Sequence, residues 1–183
     1  MLIDEKTIVK NVKRGRKDAQ KALYDTYAKR LMTISLRYVG RYDIAEDVLH
    51  DAFIKIFQNI GKFKYRGEGS LRAWMDRVTI NTALEWLRNQ KKTTMLNEEF
   101  IPEEVEEEPS FIGVQSIPQD VLLKFIAELP VGYRTIFNMF CIEDYSHREI
   151  AEELGIKEKS SSSQLLRAKR LLANKITKHL KSS

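Results

Sequence analysis

The sequence predicts an all-α protein of two small helical domains joined by an acidic flexible linker. Three observations carry this prediction. Apolar residues recur at steps of three and four through most of the chain, and no segment sustains the alternation of a strand. Glycine and proline number only 8 and 4 in 183 residues, too few for a turn-rich sheet architecture. Between residues 93 and 118 the helical pattern stops: the stretch carries seven glutamates and three prolines but no lysine or arginine. The expected division is therefore 1–92, a linker at 93–118, and 119–183.

In the first domain, Asp4 can cap a short helix running through Ile8, Val9 and Val12 to Gly15. A long amphipathic helix follows, with Ala19, Leu23, Tyr27, Leu31, Ile34 and Tyr38 on one stripe and Gly40 at its end. Tyr27 and Tyr38 are expected in the core or at its rim. Asp43 can cap a third helix, whose stripe is Ile44, Val48, Ala52 and Ile56. The loop KFKYRGEGS then interleaves basic and aromatic residues with two glycines, and Ser70 can cap a fourth helix with a basic tail. On that helix Trp86 is expected in the core. Trp74 divides between core and an exposed role.

The second domain reads as helices over 119–128, 132–142, 146–154 and from about 158 toward Leu180, with Cys141 as a small buried residue. Ser146 and Glu149 have capping-box spacing, and Gly155 can adopt the left-handed turn that stops the helix. The last helix opens on four consecutive serines. Ser161, Leu165, Ala168 and Leu172 would form its buried face, while Ser160, Ser162, Ser163 and Gln164 would face outward. Lys159, Arg167, Lys169 and Arg170 surround that face with positive charge. Helix, glycine turn, basic helix is the arrangement of a helix-turn-helix, whose second helix enters the major groove. Serines pair with several bases and with phosphate, so they do not specify the DNA sequence read.

Charge points the same way. The net charge is +5 and the pI about 9.2, and two basic lobes on a tether suit one long polyanion. A single cysteine excludes an intrachain disulfide. The start of the chain has no apolar core of a signal peptide, and no run approaches the roughly 18 apolar residues of a membrane span. A soluble, cytoplasmic protein without membrane contact of its own is expected. There is no Ser-His-Asp set, phosphate-cradling glycine loop or paired-cysteine motif, so no enzymatic activity is expected. Asp47 and His50 stand at i and i+3, as in carboxylate-bridged metal bundles. Those sites need the motif twice, and one copy is present, so neither metal nor cofactor is expected.

Two blocks of residues in order resemble one family. YSHREIAEELGI followed by SSSQLLRAKRLL resembles the C-terminal DNA-binding region of extracytoplasmic-function sigma factors of the sigma-70 family, and LPVGYRTIFNMFCIEDYS looks like the leading helices of that domain. DIAEDVLHDAFIKIFQNI resembles the helix that docks on core RNA polymerase, and SLRAWMDRVTINTALEWLRNQKK the helix that opens the downstream promoter element. The resemblance covers nearly all of the chain apart from the linker. It implies sigma region 2 in the first domain and sigma region 4 in the second.

The resemblance also implies roles for individual residues. Asp47, His50, Asp51 and Ile54 would grip the coiled coil of the polymerase's largest subunit, and region 4 would meet the flap of the second-largest. Lys64, Tyr65, Arg66, Gly67, Glu68 and Gly69 would capture an extruded base, and Trp74, Arg77 and Asn81 would open and read the strand. His147, Arg148, Lys159, Ser160, Ser162, Ser163, Leu166 and Arg167 would lie near the upstream promoter element. An anti-sigma factor is an expected further partner. The chain also departs from the pattern. Lys159 replaces a common glycine, Ser161 takes the place of a buried apolar residue and would loosen the helix, and serines replace basic residues nearby.

Two other readings compete: a stand-alone helix-turn-helix regulator, and a helical interaction protein. The core-docking block argues against the first and the basic last helix against the second.

Overall fold

The computed structural model describes residues 4–94 and 111–182, with side chains for 4–90 and 111–182. Among the described residues there is helix and no strand, in two compact units, Met1–Gln90 and Lys91–Ser183. The glutamates of the predicted linker, 98–108, lie outside the described residues.

The first unit holds α1 (Glu5–Lys13), α2 (Lys17–Val39), α3 (Tyr42–Asn59) and α4 (Ser70–Thr94). Asp4 caps α1, accepting from the amides of Lys6 and Thr7. α2 ends on Gly40 at φ 74°, a left-handed conformation that costs glycine nothing. α2 packs against both α1 and α3. Leu23, Leu31, Tyr38, Val48, Ile56, Leu71, Met75 and Leu84 are fully buried between the helices. Each such side chain contributes about 1.5–3 kcal/mol over its exposed state, so burial rather than helix propensity holds this unit together. Tyr27 joins the core, its hydroxyl donating to Glu5 Oε1 at 3.0 Å. Burial and that carboxylate push the Tyr27 phenol up to about 12.

Two predicted caps differ. α3 begins one residue before Asp43, which forms an ion pair with Arg41 instead of capping. Ser70 is already inside α4, and its hydroxyl turns back into the preceding loop. In both cases the side-chain oxygen has a partner outside the helix, Arg41 for Asp43 and the Arg66 amide for Ser70.

The second unit holds α5 (Gln119–Ala127), α6 (Val131–Phe137), α7 (His147–Leu154) and α8 (Glu158–Ser182), with a 3₁₀ turn at Val114–Ser116 and a π-helical turn at Asn138–Ile142. α8 packs against α5, α6 and α7. Leu129, Ala168 and Leu172 form a core lined by Phe111, Phe125, Tyr133 and Phe137. Phe111 thus belongs to this core and Ile117 is buried, although the sequence reading placed both in the linker. The glutamate-free stretch FIGVQSI carries enough apolar surface to fold back on α8, where Gly113 lies against Leu180. The predicted Ser146–Glu149 capping box is present in both directions, and Gly155 stops α7 at φ 67°. Cys141, expected to be buried, is exposed as a residue because the π-helical turn carries it to the surface. Partial burial of its thiol nevertheless pushes the thiol pKa up.

Candidate nucleic-acid interface

Three surfaces gather the residues singled out in the sequence. The first is on α3. Asp47, His50, Asp51 and Ile54 are all exposed, at steps of three, one and three along one face. Ile54 is 49% exposed beside carboxylates, a mixture suited to a partner helix with basic and apolar residues. Next to this face lies a groove of about 300 Å³ between α3 and α4, lined by Asp51, Ile54, Gln58, Trp86 and Asn89. Lys55 and Glu85 pair beside it at 2.6 Å, which holds the Glu85 carboxyl below its usual range. Trp86 is therefore half-buried at a groove, not sealed in the core as expected.

The second surface is the 61–69 loop with α4. Lys64 and Arg66 are exposed and Tyr65 is half-buried. Desolvation raises the Tyr65 phenol pKa, and the carboxylates of Asp4, Glu5 and Glu68 act in the same direction. Gly67 and Gly69 have φ of 124° and 81°, which side-chain-bearing residues rarely adopt. Ser70 Oγ accepts from the Arg66 amide at 3.2 Å and donates to Gly67 O at 2.6 Å, closing the loop on the helix start. Trp74 is half-buried with its ring 5.0 Å from Phe63, between the two roles expected of it. Arg77 and Asn81 follow at i+3 and i+7 and are exposed. Exposed cations, a half-free aromatic and a glycine backbone offer phosphate pairing, stacking and close approach to a single strand.

The third surface is the α7–α8 pair. Lys159, Ser162, Ser163 and Leu166 are exposed at i, i+3, i+4 and i+7, and Leu166 is 39% exposed. Ser160 and Arg167 flank this strip and are half-exposed. The Ser162 and Ser163 hydroxyls donate to Lys159 O and Ser160 O in their own helix, which leaves their oxygens facing outward as acceptors. Arg148 pairs with Glu152 at the surface.

Two expectations change here. Gln164, expected to face outward, is buried on the side of Leu165 and Ala168. Ser161, expected to loosen the helix, is fully buried with its Oγ 2.9 Å from His147 Nδ1. It replaces apolar packing with a hydrogen bond between α7 and α8. The His147 ring also stacks on Phe140, 4.4 Å between centroids, and Lys169 lies 5.9 Å from the Phe140 centroid. One nitrogen and one face of His147 are thus engaged inside the unit.

Sequence reasoning also missed Glu5 and Lys13, which bond to the 61–69 loop from α1. Contacts spanning 64 and 50 residues leave no local signal.

The family model for Sigma-70 region 2 matches residues 23–93, and that for Sigma-70, region 4 matches residues 119–172. The chain belongs to the sigma-70 family, in its extracytoplasmic-function (ECF) group. It is 28% identical to the ECF RNA polymerase sigma-E factor of Haemophilus influenzae, covering 95% of this chain and 96% of that one. It is 26% identical to the ECF RNA polymerase sigma factor SigW of Bacillus subtilis, covering 92% and 94%. Among solved structures, the sigma factor RpoE in complex with the anti-sigma factor NepR from Bartonella quintana has 19% identity and a TM-score of 0.49, covering 84% and 94%. Among the described residues, no helix is long and apolar enough to cross a membrane.

Proposed function

We infer that this protein is an RNA polymerase sigma factor that binds core enzyme and directs transcription from a two-part promoter. The observation that carries the reading is the ordered pair of family regions, each presenting an exposed residue strip of the required chemistry. Residues 1–92 serve as region 2 and 119–183 as region 4. The α3 face of Asp47, His50, Asp51 and Ile54 docks on the largest-subunit coiled coil. Lys64, Tyr65 and Arg66 stack and neutralise an extruded base, while Trp74, Arg77 and Asn81 hold the strands apart. The α8 strip enters the upstream major groove, with Lys159 and Arg167 on phosphate and the serines at base edges. The flap of the second-largest subunit and an anti-sigma factor are further partners. The protein performs no chemistry of its own and acts in the cytoplasm.

The test mixes the purified chain with core polymerase and a library of promoter-length DNA, and sequences the RNA. Promoter-specific transcripts that depend on the chain are expected. No polymerase complex from a folded chain, with tight duplex binding instead, would favour a stand-alone regulator.

A further inference from the structure

Helix α1 grips the 61–69 loop at both ends. Lys13 Nζ, in its last turn, donates to Phe63 O at 2.6 Å. Glu5 Oε2, in its first turn, accepts from the Gly69 amide at 2.9 Å. The loop therefore runs antiparallel alongside α1. Both ends of the loop are thus fixed to α1, and between them Lys64 and Arg66 are exposed while Tyr65 is half-buried. Ser70 ties the loop to the start of α4 through the Arg66 amide and Gly67 O. With two glycines at positive φ, little within the segment itself would hold this shape.

We propose that Glu5 and Lys13 are positioning residues for strand capture, holding the loop in the shape that receives an unstacked base. This rests on the reading that the loop takes that base. Glu5 has a second tie, from the Tyr27 hydroxyl to its Oε1, which joins α1 to α2 and does not touch the loop. The two carboxylate oxygens therefore separate the positioning function from a structural one. A loop that occupies the receptive shape only part of the time binds the strand more weakly by that fraction.

The test uses holoenzyme reconstituted from the full chain and core polymerase, on a promoter recovered in the transcription experiment. A 2-aminopurine in the non-template strand reports strand trapping, and core affinity and upstream duplex binding are measured alongside. Glu5→Ala should trap the strand about tenfold more weakly, with core and upstream binding unchanged. Glu5→Gln should restore most of the trapping, because its amide oxygen still accepts from Gly69. Tyr27→Phe should lower thermal stability and leave trapping intact. Should Glu5→Ala not fold, Lys13→Met decides from the loop's other end: weakened trapping supports the proposal, and trapping like the parent overturns it. Arg66→Ala and Tyr65→Ala separate the two levels. If they lose trapping while Glu5→Ala keeps it, the positioning proposal is wrong and the loop reading stands. If neither loses trapping, the loop reading fails, and the proposal with it.

Discussion

Replacing Arg134 with methionine sets two large terms of opposite sign against each other. As a residue, Arg134 is 5% exposed. Its Nη1 donates to Ala127 O at 2.6 Å and to Leu129 O at 3.3 Å, carbonyls at the end of α5 and just before Pro130. Proline has no amide to offer there, and a helix end leaves carbonyls without partners. Losing the donor costs about 1–3 kcal/mol for each buried carbonyl left unsatisfied, and at most about 4 kcal/mol for these two, because the bond to Ala127 O is only part-buried. The opposing term is the burial of a charge. Burial pulls the Arg134 pKa from 12.5 down to about 10, which corresponds to about 3 kcal/mol of desolvation. At neutral pH the group stays charged, so its removal recovers part of that amount. The balance favours arginine by roughly 1–2 kcal/mol, because methionine fills the space but donates nothing. For a unit of this size the melting point should fall by about 4–16 °C. The assay is thermal unfolding of the full chain followed by two probes. Both tryptophans, Trp74 and Trp86, lie in the first unit, so their fluorescence should report an unshifted transition while the far-ultraviolet circular dichroism loses stability in the second. Arg134→Met that melts at or above the parent would show that desolvation outweighs the carbonyl bonds.

Ser161→Ala should destabilise the second unit by about 0.5–1 kcal/mol, since half-exposed His147 regains water and alanine favours helix, and upstream DNA binding should weaken with it. Unchanged stability and DNA affinity would show the α7–α8 bond to be dispensable. Lys175 holds the Glu128 carboxyl below its usual range. A folded-state carboxyl pKa below the unfolded one stabilises above the unfolded value, and that stability is lost as pH falls through the folded one. Lys175→Met should therefore cost at most about 1 kcal/mol at neutral pH and nothing in strong acid, as read from urea midpoints against pH. The Cys141 thiol, raised by burial, should alkylate more slowly at pH 8 than a small free thiol, and urea should abolish the difference. Equal rates in the folded protein would show that the thiolate is solvated.

The surfaces were legible in the sequence where a local rule makes them. The strips on α3 and α8 follow from steps of three and four, and the Ser146–Glu149 box with Gly155 follows from capping chemistry. Gln164 shows where that reasoning stops. At the margin of a stripe, a polar residue's placement depends on which helix packs against it, and α8 meets α5, α6 and α7. Asp43 and Ser70 show the same limit at helix starts, where a nearby arginine or a loop amide donates to the side-chain oxygen. Trp86 and Cys141 were placed by hydrophobicity, yet a groove and a π-helical turn bring them to the surface.

The helical class, the order of the helices and the exposed residue strips on α3 and α8 were readable from the sequence, because helix periodicity and capping act within a few residues. What those strips lean on follows from packing between distant segments. Glu5 and Lys13 reach the 61–69 loop, His147 reaches Ser161, Arg134 closes the end of α5, and Phe111 turns back onto the second core. Each contact joins groups separated by a turn, a loop or whole helices, and packing rather than local sequence brings such partners within hydrogen-bonding or van der Waals distance.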